Sequence, residues 1–228
     1  MLFLPVGCLL LGLFLLLLPL LLILFFFNIV AFSFERLGIP PQGVFLLLFF
    51  ILVGSLINIP ITRRTRYSRE VRFGWLRVPV RQETGLAINL GGAIIPAALA
   101  IYLLFQVPLL PALIATALMI IICKFLTRPV PGRGLAIPML IPPILSTLFA
   151  ILLAGELAAP VAFISGVLGT LIGGDLLNLG KARRVGGGVL SIGGAGVFDG
   201  IFLVGVFSVL LTAITLPPLF PSLAGPSY

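Results

Sequence analysis

Leu9-Leu-Leu-Gly-Leu-Phe-Leu-Leu-Leu-Leu-Pro-Leu-Leu-Leu-Ile-Leu-Phe-Phe-Phe27 decides the fold. It carries no charge, and only Gly12 and Pro19 interrupt it. The whole apolar run reaches from Leu2 to Phe32, longer than the ~20 residues a helix needs to cross a bilayer. It has no basic leader and no clear small-x-small cleavage site, and it exceeds the core of a signal peptide. It therefore reads as a retained span, tilted or bent at Pro19.

The pattern recurs along the chain. Apolar stretches at about 2–32, 43–61, 86–105, 109–126, 136–154, 159–178 and 191–215 predict seven spans. Of the 228 residues, 61% are hydrophobic and 9% charged, with a mean hydropathy of +1.32, far too apolar for a soluble domain. The expected fold class is all-α: a polytopic transmembrane helix bundle of about seven spans, one transmembrane domain over residues 1–228. Span five is the weakest, because Pro138, Pro142 and Pro143 interrupt it; a kinked or re-entrant segment is the alternative.

Net charge is +8, with 14 basic residues and 6 acidic. Arg63, Arg64, Arg66, Arg69, Arg72, Arg77 and Arg81 lie in loop 62–85. Lys124, Arg128 and Arg133 follow in a second basic segment, and Lys181, Arg183 and Arg184 in a third. Seven spans put all three segments on one side and leave Arg36 alone on the other. Lys and Arg mark the cytoplasmic face. The expectation is a multi-pass protein of the prokaryotic inner or plasma membrane, N-terminus cytoplasmic and C-terminus outside. The basic charge is thus a topology signal; lipid is an expected partner and nucleic acid is not. Within the long loop, Val71, Phe73 and Trp75 alternate with Arg72 and Gly74, and Val78 and Val80 follow. Period-two alternation reads as a short β-hairpin on the membrane surface, while a plain basic loop on anionic lipid explains the charge equally well.

No histidine is present, which excludes His-ligated metals and His-based catalysis. Cys8 and Cys123 stand singly in apolar runs, so neither a disulfide framework nor a metal cluster is implied. No cofactor is expected: Gly194-Ala-Gly196-Val-Phe-Asp199 has Asp where a dinucleotide fingerprint needs its third Gly. Repetition is faint. Ile88-Asn-Leu-Gly-Gly-Ala93 and Ser191-Ile-Gly-Gly-Ala-Gly196 each follow a basic loop and run the same way.

Chemistry concentrates in two carboxylates. Glu156 reads as a solvated residue of an external turn. Asp175 and Asp199 sit in apolar sequence with no neutralising base in their spans. A carboxylate at mid-bilayer costs at least ~2.5–3.5 kcal/mol on insertion scales, so each is a functional hypothesis by default. Structural readings stand beside it: a bond to a neighbouring helix, or a wet span end for Asp175. Asp175 precedes Lys181 by about 9 Å of helix. If span seven becomes helical near Gly194, Asp199 lies about 7.5 Å in, and the depths match. The expected site is a carboxylate pair in the cytoplasmic half of the membrane. Gly174, Asn178, Gly194, Gly196 and Gly200 would line it, with Asn89, Gly92 and Pro96 from span three. Such a pair shares one proton: the ionised member activates water and the protonated member donates to a peptide carbonyl.

Gly173-Gly-Asp-Leu-Leu-Asn-Leu179, Ile192-Gly-Gly-Ala-Gly-Val-Phe-Asp-Gly-Ile-Phe-Leu203 and Ile88–Ala93 resemble a prokaryotic membrane family known as a domain of unknown function, number 1614. That likeness covers most of the chain and implies no activity. A more distant likeness is to the Gly-x-Gly-Asp intramembrane aspartyl proteases of the presenilin and signal-peptide-peptidase type. It implies Asp175 and Asp199 as the catalytic pair and a transmembrane helix as substrate. The chain departs from that pattern. Gly-Gly-Asp stands for Tyr-Asp, Val197 and Phe198 separate Gly196 from Asp199, Pro-Ala-Leu lies upstream at 111–113, and seven spans replace nine. The rival expectations are a proton- or cation-coupled transporter using the same carboxylates, and a non-catalytic membrane subunit or scaffold.

Overall fold

The computed structural model describes residues 4–73, 76–130, 134–185, 189–194 and 200–215. Helices dominate. Helix α1 (Leu4–Glu35) runs unbroken through Pro19. Between Leu11 and Phe27 its large side chains are mostly open on every flank; Leu16 is 75% exposed and Phe25 65%. Only its last turns are buried, at Val30, Ser33 and Phe34. An apolar surface of that extent needs a non-aqueous cover. Three stretches are long and apolar enough to cross a membrane: Leu11–Glu35, Leu109–Leu126 and Ile141–Ala182. Shorter apolar helices run over Pro41–Ser55, Leu90–Leu104 and Gly200–Thr215.

Helix α2 (Pro41–Ser55) ends in a turn that feeds strand β1 (Asn58–Phe73), which pairs antiparallel with β2 (Leu76–Asn89). The hairpin suggested by alternation is present, and it is longer than loop 62–85. It takes 58–61 and 86–89 from the expected ends of spans two and three. Asn58 and Asn89 apart, those residues are apolar, so hydropathy places them in the membrane; in the structure all but Ile61, at a register shift, pair across the ladder. Beyond β2 come a π-turn (Leu90–Ile94), helix α3 (Ile95–Leu104) and helix α4 (Leu109–Leu126). A small ladder, β3 (Arg128–Val130) with β4 (Gly134–Ala136), leads to helix α5 (Ile141–Ala154). Pro142 lies in the first turn of α5, where a missing N–H costs nothing. Those prolines therefore start a helix rather than break one, and the apolar helix is shorter than the span expected over 136–154.

At Gly155 the chain turns into α6 (Ala158–Gly169), which packs back along α5. α6 is the centre of the fold. Every residue from Ala158 to Val167 is buried, and α3, α4, α5 and α8 (Gly200–Thr215) pack around it. Phe34 of α1 closes the core, its ring 5.9 Å from Phe163 and 6.3 Å from Phe202. A second π-turn (Thr170–Asp175), a 3-10 turn (Leu176–Asn178) and α7 (Leu179–Val185) extend α6. Strand β5 (Val189–Ile192) then pairs parallel with β2, giving the sheet order β1-β2-β5. β5 occupies the expected opening of the seventh span, and the described helix begins only at Gly200.

Elements that carry or flank the basic segments adjoin. The hairpin root pairs with β5, and α7 packs against β3 and β4. Both π-turns contain a Gly-Gly pair that allows backbone-to-backbone packing. A Cβ on Gly91 would overlap the Ile51 carbonyl of α2, and one on Gly173 would overlap the Ile120 carbonyl of α4.

Candidate functional site

Asp175 closes the second π-turn and is half-buried. Its Oδ2 accepts a hydrogen bond from the backbone N–H of Gly193 at 2.9 Å. Such turns leave the regular i→i−4 ladder and often mark sites of function. Gly193 sits just past β5 with φ +79°, and Gly194 follows at +74°. A Cβ on Gly193 would stand 2.5 Å from the Cβ of Ala93 and 2.8 Å from its nitrogen. Two constraints thus coincide there: left-handed backbone and no room for a side chain.

Gly193 is held against the first π-turn by a polar clasp. Asn89 is fully buried at the end of β2. Its Oδ1 accepts from Gly92 N at 2.7 Å, capping the turn, and its Nδ2 donates to Ser55 O at 2.7 Å and to Asn58 Oδ1 at 3.2 Å. The same Asn58 Oδ1 accepts from Ser191 Oγ at 2.7 Å. The ladder pairs Ile88 with Ile192, so the two Ile…Gly-Gly segments leave the sheet side by side.

On the α4 side stands Asn178, fully buried. Its Nδ2 donates to Gly173 O (2.9 Å), Gly174 O (3.1 Å) and Lys124 O (3.2 Å). A π-turn running into a 3-10 turn breaks the regular ladder, and Asn178 supplies a donor to carbonyls there while pinning α4. Its Oδ1 is buried and has no protein partner among the described residues.

Of the expected site residues, the structure brings Asp175, Asn89, Gly92 and Gly194 to one junction. Asn178 and Gly174 belong to the neighbouring contact with α4, where a Cβ on Gly174 would meet Thr127 Oγ1 at 3.3 Å. Pro96 is buried in the first turn of α3. Gly200 is exposed at the first residue of α8. Gly196 and Asp199 lie outside the described residues. The helix expected to start near Gly194 is described only from Gly200, and Gly194 itself has a non-helical φ of +74°. Glu156 is exposed in its turn.

Asn58, Ser191 and Gly193 were missed. Asn58 was legible as a polar residue inside an apolar run; the other two become special only through pairing with β2. Also missed was a hydroxyl cluster where α5 meets α8. Ser146 Oγ and Ser208 Oγ are 2.6 Å apart, and Thr147 Oγ1 donates to Ser208 O at 2.9 Å. Among the described residues no group of three His, Cys, Asp or Glu side chains is placed to hold a metal.

Membrane-length apolar helices, a long β-hairpin and a carboxylate at a π-turn define a helical protein with membrane-spanning character. The chain belongs to the family described as "Protein of unknown function (DUF1614)", which matches residues 52–211. That match contains the hairpin, both π-turns, Asp175 and Asp199, and leaves α1 outside. No curated protein and no solved structure matches the chain.

Proposed function

We propose that this chain is an intramembrane aspartyl-protease-like protein of the prokaryotic cell membrane, with Asp175 and Asp199 as its proton-sharing pair. The observation that carries the reading is the bond from Gly193 N to Asp175 Oδ2. It ties Asp175 to the short segment that carries Asp199. Asp199 directly precedes α8, and α8 packs against both π-turns. Two carboxylates so tethered can hold one proton between them, one activating water and the other polarising a peptide carbonyl. The substrate class is a transmembrane helix that unwinds near the basic face. β5 sits at the edge of the sheet, two residues from Gly194, where an extended segment can add as a strand.

The topology proposed with this reading is seven crossings, by α1, α2, the first π-turn with α3, α4, α5, α6 with the second π-turn, and α8. The pairing of the hairpin root with β5 and the packing of α7 on β3 and β4 support one cytoplasmic face for the basic segments, with the N-terminus inside and the C-terminus outside.

A second reading draws on the same bond. Asp175 accepts from a backbone N–H, which is what a carboxylate in a non-catalytic scaffold would do. Asparagine separates the two. Asp175→Asn keeps an acceptor for Gly193 N but removes the titrating proton. Proteomic comparison of membrane fractions from cells carrying wild type, Asp175→Asn and Asp199→Asn tests it. Uncleaved membrane substrates accumulate in both variants under the protease reading. Unchanged processing with normally folded variants refutes it.

A further inference from the structure

The clasp at the root of the sheet fixes the direction of a second amide. Two backbone groups orient Asn89: the N–H of Gly92 can only donate to it, and the carbonyl of Ser55 can only accept from it. Asn89 Nδ2 therefore faces Asn58, and the Asn58 atom it meets at 3.2 Å has to be the oxygen. Ser191 Oγ, 2.7 Å from the same oxygen, has to donate to it as well. Two donors thus hold Asn58 Oδ1. The amide cannot turn over without setting its own NH2 against them.

That leaves Asn58 Nδ2 outside the clasp. No described residue accepts from it, and Asn58 is exposed where Asn89 is fully buried. An amide held this way presents N–H donors whose direction is set before any partner arrives. Its place is specific. Ser191 pins Asn58, and Gly193 donates to Asp175 Oδ2. These two anchors are two residues apart, roughly 7 Å along an extended chain. A fixed donor and a carboxylate are therefore anchored side by side at the end of β5, the edge strand of the sheet. An unwound segment arriving there brings main-chain carbonyls that have lost their helical donors, and such groups need new ones away from water.

We propose that Asn58 is a substrate-binding residue of this site, its Nδ2 donating to a main-chain carbonyl of the unwound substrate segment. The assignment rests on the paired-carboxylate reading above and adds the donor that two carboxylates sharing one proton do not provide.

The probe is a fluorescent apolar peptide with a statine hydroxyl in place of one peptide bond, a mimic of the tetrahedral intermediate. It is added to the full chain in nanodiscs and its binding followed by anisotropy. Wild type binds it, and Asp175→Asn binds it far more weakly, as the paired-carboxylate reading requires. Asn58→Asp keeps an oxygen for Asn89 and Ser191 but has no N–H. Its unfolding midpoint therefore stays at the wild-type value while its affinity for the probe falls about ten-fold. Probes with one amide at a time replaced by an alkene then locate the contact. One of them loses about ten-fold on wild type and nothing further on Asn58→Asp. The proposal is overturned, with the protease reading intact, if Asn58→Asp binds the probe as wild type does. It is also overturned if that variant lowers the unfolding midpoint, which places the NH2 inside the clasp, or if every alkene probe loses as much on the variant as on wild type. No binding to wild type overturns both.

Discussion

Replacing Gly193 with alanine attacks the junction at its tightest point. The residue has φ +79°, and an added Cβ would stand 2.5 Å from Ala93 Cβ and 2.8 Å from Ala93 N. Left-handed backbone costs a non-glycine residue roughly 1–2 kcal/mol. Forcing a methyl into a filled space costs about 1–3 kcal/mol more. Gly193→Ala should therefore destabilise by about 2–5 kcal/mol. The two parts are separable. Ala93→Gly removes the nearest obstacle but leaves the backbone cost and the nearby nitrogen. In the double variant roughly half of the loss should return, a coupling of about 1–2 kcal/mol. Thermal or chemical unfolding of the four proteins in one detergent measures the cycle. Additive effects, or a neutral Gly193→Ala, would refute the packing described here.

Asn178→Ala should cost about 2–4 kcal/mol, because the carbonyls of Gly173, Gly174 and Lys124 lose their shared donor. Asn178→Asp should be worse, since it sets a carboxylate against three carbonyl oxygens; unfolding midpoints rank the pair. Gly173→Ala should destabilise by about 1–3 kcal/mol because Ile120 O occupies the site, whereas Gly12→Ala should be neutral or stabilising by up to about 1 kcal/mol, with nothing within 4 Å of the new methyl. The Ser146→Ala and Ser208→Ala cycle should give a coupling of about 0.6 kcal/mol and no more than about 1.7, the range of interhelical hydroxyl bonds in membranes.

The apolar helices were legible because hydropathy reads nearly uncharged runs directly. The hairpin was legible where Arg72, Arg77 and the valines alternate. It was hidden at 58–61 and 86–89, where the mostly apolar strand ends read by hydropathy like the ends of spans. Both π-turns escaped notice because hydropathy does not distinguish hydrogen-bond spacings; only the Gly-Gly pairs at 91–92 and 173–174 hinted at them. The likeness of Ile88–Ala93 to Ser191–Gly196 was visible, but their parallel pairing joins residues a hundred positions apart. Asp175 stood out for its cost in an apolar run. Its partner Gly193 did not, since a backbone N–H leaves no mark in sequence.

The central claim is that Asp175 and Asp199 form one site, and cysteine cross-linking tests it most directly. In a chain with Cys8 and Cys123 replaced by alanine, Asp175→Cys and Asp199→Cys are introduced together and oxidised in native membranes. A disulfide needs Cα atoms within about 7 Å, and a short dimaleimide reaches a little further. Rapid intramolecular bridging of positions 175 and 199 by either reagent is the predicted result. No bridge between 175 and 199 by either reagent, in a double-cysteine protein that inserts and melts like wild type, would place the two carboxylates apart and contradict it.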